Sequence, residues 1–156
     1  MESYGVDRFG LDSQTFWYEL LAVADEKIKQ ATEETRAAVD FFMSSVAHLS
    51  LLTMLSLGSA VFAREREPVL AVAGVAALLV PFAYVQAVRN VGEWRYAVQA
   101  LVNTSRPSLA AALSLSLPKT FAEEKHMWNS AAGLVHHGAH DDYLRVLDPL
   151  RASSNP

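Results

Sequence analysis

Two long runs without a fixed charge, separated by four consecutive charges, constrain this chain more than any other feature. The first, residues 41–63, reads FFMSSVAHLSLLTMLSLGSAVFA, and its only titratable group of the acid or base type is His48. The second, residues 68–88, reads PVLAVAGVAALLVPFAYVQAV. As helices they make rods of about 34 and 32 Å, enough to cross a hydrocarbon layer about 30 Å thick. Between them stands Arg64-Glu65-Arg66-Glu67. One such charge at the bilayer centre costs about 2.5–3.5 kcal/mol, so four together cost on the order of 10 kcal/mol and the chain must surface here. So short a link permits only an antiparallel pair. The fold class expected is all-α: a transmembrane helical hairpin with a long N-terminal cytoplasmic helix and short C-terminal cytoplasmic helices. The competing reading is a soluble bundle around two apolar central helices. It leaves only about 110 other residues, many of them polar, to cover both rods.

The totals exclude several classes of function. A net charge of −4 argues against a nucleic-acid partner, which calls for a clustered basic face. There is no cysteine, hence no disulfide, thiolate metal site or cysteine nucleophile. The opening MESYGVDRFGLDSQ has no basic start followed by an apolar run, so a cleaved signal peptide is not expected. Lys27, Lys29 and Arg36 precede the first run, and Arg89, Arg95 and Arg106 follow the second. The link has only Arg64 and Arg66, each beside a glutamate. The positive-inside rule then places both termini in the cytoplasm of a cell membrane crossed twice. The expected organisation is a cytoplasmic amphipathic helix over 1–40, spans over 41–63 and 68–88, and an external loop over 64–67. A cytoplasmic helical arm over 89–150 and a disordered tail over 151–156 complete it.

Upstream of the first run, Trp17, Leu21, Ala24, Ile28, Ala31, Thr35, Ala38 and Phe42 recur in steps of four and three. That is a heptad seam, with Asp12 or Ser13 as its N-cap. The spacing continues as Ser45, Leu49, Leu52, Ser56 and Ser59, so one helix of nearly fifty residues is the simplest structure. The seam serves either self-association or packing on the chain's own C-terminal helices. Beyond the second run, the helix is expected to extend to Ser105, with Pro107 opening a new short helix. SLSLPK then breaks the pattern. Thr120 and Glu123 have capping-box spacing ahead of an amphipathic stretch, Gly138 is its natural stop, and Asp141 or Asp142 is positioned to cap a last short helix.

The stretch ALVNTSRPSLAAALSLSLPKTFAEEKHMW, residues 100–128, resembles a tail found in a group of small uncharacterised bacterial two-helix membrane proteins. In that group a helix ending LV…R…L is followed by an L-x-LP break and an acidic EE…W helix. The resemblance implies a helical tail and no particular activity. The two-span layout is also similar to the membrane modules of some bacterial conflict-system effectors, which are thought to permeabilise membranes.

Few residues suggest chemistry. Ser45, His48, Ser56 and Ser59 fall within an arc of about 80° at 3.6 residues per turn. Ionisable groups at membrane depth usually face protein or water, so His48 is the leading candidate for a pore or proton relay. The plainer reading is a histidine bonded to a neighbouring helix and serines bonded to their own. Ala73 and Ala77 form a small-x-x-x-small step, as do Ser56 and Ala60, suited to close helix packing. Pro81 predicts a kink. In HHGAHDD, His136, His137, His140 and Asp141 are metal-ligand types, but Gly138 breaks the helix that would align them, and a solvated polar turn is the simpler account. There is no phosphate-cradling loop, nucleophile elbow or H-E-x-x-H pair. Ser44 or Ser45 near His48 lacks an orienting carboxylate in the membrane. The function expected is a non-enzymatic membrane protein without a cofactor: a self-associating scaffold, partner subunit or pore. The alternatives are a histidine-rich, metal-linked sensor or enzyme and an accessory subunit of a larger transporter or membrane complex.

Overall fold

The computed structural model describes residues 3–151, which form helices and connecting segments. The predicted tail, apart from Arg151, lies outside the described residues. Six α-helices follow in order: α1 (Ser3–Phe9), α2 (Trp17–Val23), α3 (Glu26–Ala60), α4 (Arg66–Ala112), α5 (Phe121–His137) and α6 (Asp141–Leu147), then one 3₁₀ turn at Asp148–Leu150. Among the described residues no strand forms; there is one isolated bridge between Leu115 and Arg151. α3 and α4, at 35 and 47 residues, are both long and apolar enough to cross a membrane. The chain divides into two compact units, one made of residues 1–30 and 97–156, the other of residues 31–96.

Local chemistry accounts for most of the boundaries. The fifty-residue helix expected at the N-terminus is interrupted at Ala24, which is extended (φ −72°, ψ 150°). Asp25 restarts the chain as a helix, its Oδ1 accepting from the Lys27 N–H at 2.9 Å. A side-chain acceptor for an orphan N–H is what an N-cap supplies, so the heptad spacing is overruled here. Earlier, Asp12 organises the turn before α2: its carboxylate accepts from the Gln14 N–H at 3.0 Å and the Thr15 hydroxyl at 2.6 Å. Thr120 caps α5 as expected, accepting from the Glu123 N–H at 3.3 Å. Gly138 ends it with φ at 77°, a conformation costly for other residues, and donates to the Leu134 carbonyl. His140 rather than an aspartate stands at the N-cap of α6.

Pro107 does not start a helix. α4 runs through it to Ala112, although an interior proline costs about 3 kcal/mol. The packing on either side explains why: Leu101 and Val102 before it and Leu109 and Ala110 after it all enter the same core. The proline itself is exposed. Between the two long helices, α3 stops at Ala60 and α4 begins at Arg66, so the connection is residues 61–65 and the last two charges join the first turn of α4.

In the unit formed by 1–30 and 97–156, the N-terminal and C-terminal arms build one core. Leu11, Leu20, Leu101, Leu109, Met127 and Trp128 are its largest fully buried side chains. Each is worth about 1.5–3 kcal/mol relative to exposure. Trp17, Leu21, Ala24 and Ile28, the first four positions of the predicted seam, pack against this core. Of the two uses open to the seam, packing within the chain takes these four. Gly10 closes the unit: its φ is 73°, and a Cβ there would stand 2.5 Å from the Lys125 carbonyl oxygen.

Candidate functional site

The unit of residues 31–96 has an inverted distribution of side chains. Its buried positions carry small residues: Thr32, Ser56 and Ala60 on α3, and Ala73, Ala76, Ala83 and Ala87 on α4. Its large apolar side chains face out, led by Phe62 at 91% exposure, Leu78 at 76% and Met54 at 72%. In the most apolar 18-residue stretch of α3 only 6% of residues are buried, and in that of α4 only 17%. The core helix of a water-soluble protein would be mostly buried. Soluble monomers rarely expose contiguous apolar patches larger than about a few hundred Å². Here the exposed set runs along both helices from Phe41 to Val88.

The small-residue step predicted at Ala73 and Ala77 is displaced. Ala73 is buried but Ala77 is exposed, and the stripe instead follows Ala73, Ala76, Ala83 and Ala87. At about 100° per residue those four occupy an arc of about 80°, and Ala77 stands about 80° from its centre. A four-residue step identifies one edge of a face but not its middle. Ser56 and Ala60 are both buried.

The predicted polar arc on α3 is divided in the same way. Ser56 is buried, Ser45 half-buried, and His48 and Ser59 exposed. Ser45 donates to the Phe41 carbonyl at 2.8 Å and Ser59 to that of Ser56 at 3.0 Å, so both hydroxyls are satisfied along their own helix. The His48 Nδ1 lies 2.7 Å from the Ser44 carbonyl oxygen. Since a carbonyl only accepts, Nδ1 carries a proton, and in the neutral imidazole Nε2 is then the acceptor. Pro81 is exposed, with α4 continuing on both sides.

The histidine-rich turn is drawn to other partners. His136 Nε2 lies 2.8 Å from the Thr15 hydroxyl, which itself donates to Asp12. Thr15 therefore accepts from His136, the reverse of what activating a hydroxyl nucleophile requires. Burial pushes the Asp12 carboxyl up, but the hydrogen bonds from Thr15 and Gln14 outweigh it and hold the group below its ordinary range. His137 stacks near Tyr143 with ring centroids 6.5 Å apart, and His140 Nδ1 is 3.6 Å from an Asp142 oxygen. Among the described residues no three histidine or acidic side chains converge as a metal site would require.

One constellation was not foreseen. Arg106 on α4 donates to Glu124 Oε2 at 3.2 Å, and the Trp128 indole N–H donates to Oε1 at 3.1 Å. The Glu124 side chain is only 4% exposed. The Arg106 guanidinium also lies 4.0 Å from the centre of the Phe9 ring. Both carboxylate oxygens are thus engaged, and the cation rests on an aromatic face while its Nε has no hydrogen-bond partner. The LV…R…L…EE…W pattern of the sequence becomes physical here. Leu101, Val102, Leu109 and Trp128 are core, and Arg106 and Glu124 are the ion pair that passes through it. The signal was the placement of one arginine and one glutamate on otherwise apolar helix faces. Compared with protein families, curated proteins and solved structures, the chain matches none.

Proposed function

We propose that this protein is a non-enzymatic membrane scaffold whose α3 and α4 cross a bilayer as an antiparallel hairpin. The link at 61–65 lies outside, and the unit of residues 1–30 and 97–156 is in the cytoplasm. The observation that carries this reading is the outward display of large apolar side chains along 41–88 above a stripe of buried alanines and serine. In lipid no hydrophobic force drives helices together, so small residues that let backbones approach belong inside and large ones belong against acyl chains. The charges support it as well. Arg64, Glu65, Arg66 and Glu67 end the apolar stretch at one side; Asp40 and Arg89 end it at the other. A non-enzymatic role is supported by how the polar groups are spent: both Glu124 oxygens are engaged in the core, the Thr15 hydroxyl donates its hydrogen bond to Asp12, and His48 has no carboxylate within the span. Self-association is supported by His48, whose imidazole is uncovered by its own chain and needs company in lipid.

Because the chain has no cysteine, single thiols report topology without background. A membrane-impermeant maleimide applied to intact cells is expected to label Glu67→Cys at once. Asn129→Cys, on the exposed face of α5, should react only after permeabilisation. Equal labelling of both in intact cells, or the reverse order, contradicts the reading.

A further inference from the structure

We infer that a second copy of this chain docks on α3 along Phe41, Ser44, His48, Leu51, Leu55 and Gly58, an inference that rests on the bilayer reading above. These positions advance in alternating steps of three and four, the spacing of a left-handed coiled-coil seam. All six are exposed, and at about 100° per residue they centre about 130° around the helix from buried Ser56 and Ala60. The seam is therefore separate from the face that the chain itself covers. It also differs from the predicted one, whose first positions are occupied by the chain's own core.

Two observations identify the occupant as a second copy rather than acyl chains. First, the seam carries an unpaired donor and an unpaired acceptor at adjacent positions. His48 Nε2 accepts, because Nδ1 is committed to the Ser44 carbonyl at 2.7 Å. The Ser44 hydroxyl has no hydrogen bond among the described residues, unlike Ser45 and Ser59. In a parallel pair a knob at 48 enters the hole formed by positions 44, 47, 48 and 51 of the facing helix. That brings the Ser44 hydroxyl of each copy to the His48 acceptor of the other. The complementarity is internal to one sequence, which is the requirement for an isologous two-fold interface. Second, a Cβ built on Gly58 meets nothing within 4 Å, so the backbone there is open to close approach at the far end of the seam.

Thiol cross-linking in native membranes tests this. Leu51→Cys and Leu55→Cys lie on the seam, while Met54→Cys and Leu57→Cys are comparably exposed but off it. Mild oxidation is expected to give covalent dimers at 51 and 55 and only background at 54 and 57. Adding His48→Leu or Ser44→Ala to the Leu55→Cys chain should weaken association about ninefold, from two symmetric bonds each worth about threefold. Membrane-bound protein that cross-links equally at all four positions, or at none, overturns the seam and leaves the bilayer reading intact. Undiminished dimer with His48→Leu overturns the donor–acceptor pairing. Recovery of the protein in the soluble fraction overturns the bilayer reading, and the seam with it.

Discussion

The two units of this molecule obey opposite rules about where a large side chain belongs. In the unit of residues 1–30 and 97–156, leucines, a methionine and a tryptophan are buried, and the Arg106–Glu124 pair enters that core with both carboxylate oxygens hydrogen-bonded. Its exposed large apolar residues are few and scattered: Val6, Tyr18, Leu113, Phe121 and Val135. In the unit of residues 31–96 the buried positions are alanine, serine and threonine, and leucine, valine, methionine and phenylalanine point outward. The two distributions are those that two different solvents would impose on one chain. Water drives large apolar groups inward; lipid removes that drive and leaves packing of small groups as the means of association. The difference teaches that burial must be read against the medium, since the same exposed leucine is unremarkable in one and a liability in the other.

Substitutions in the two units should therefore have unlike consequences. The largest effect is expected for Glu124→Ala, which strands Arg106 in the core. Breaking a buried pair costs about 3–5 kcal/mol, measurable as a lowered midpoint of thermal unfolding followed by tryptophan fluorescence. Replacing both partners by apolar residues, Glu124→Leu with Arg106→Met, should recover most of that loss. In the other unit, Leu78→Asp is expected to cost about 2.5–3.5 kcal/mol of membrane insertion, read as the fraction retained in washed membranes. On a water-exposed surface the same change would be near neutral. Ala83→Leu should destabilise the second unit by about 1–3 kcal/mol through overpacking, visible as a lower melting point in detergent. Thr120→Ala removes the α5 cap at about 1 kcal/mol, and its effect should be confined to the unit that contains Trp128.

The smallest expected effect concerns pH. The folded Asp12 carboxyl is held below its ordinary value, so it contributes stability above the usual carboxylate range. That contribution fades as pH falls through that range and is lost below the folded value. Asp12→Asn should flatten the acid limb of a stability–pH profile, slightly lowering the melting point at neutral pH and leaving it little changed at acid pH. An unchanged acid limb would mean that the Asp12 turn is not coupled to folding.

What could be read in the sequence followed from local rules. The uncharged lengths of 41–63 and 68–88, the Thr120 cap and the Gly138 stop each depend on a few neighbouring residues, and each reappears in α3, α4 and α5. What escaped depended on partners far along the chain. Pro107 stays helical because Leu101 and Leu109 share a core with α5, a tertiary gain set against a local cost. The heptad spacing from Trp17 to Ile28 could serve a second chain or its own, and only packing decides between them. The step from Ala73 to Ala77 ends on an exposed residue because a four-residue spacing marks an edge of the buried stripe and not its centre. The meeting of Arg106 with Glu124 needed the return of α5, although the lone charges on apolar faces marked both residues. The polar arc is legible in the sequence, but which of its members the chain covers depends on tertiary packing.

Lipid is the proposed solvent for residues 41–88, and alkaline carbonate extraction of membranes from cells expressing the full chain tests that most directly. The protein should stay in the membrane pellet through the wash and enter solution only with detergent. Release into the carbonate supernatant as a monodisperse species would contradict it, because those side chains would then have found cover in water.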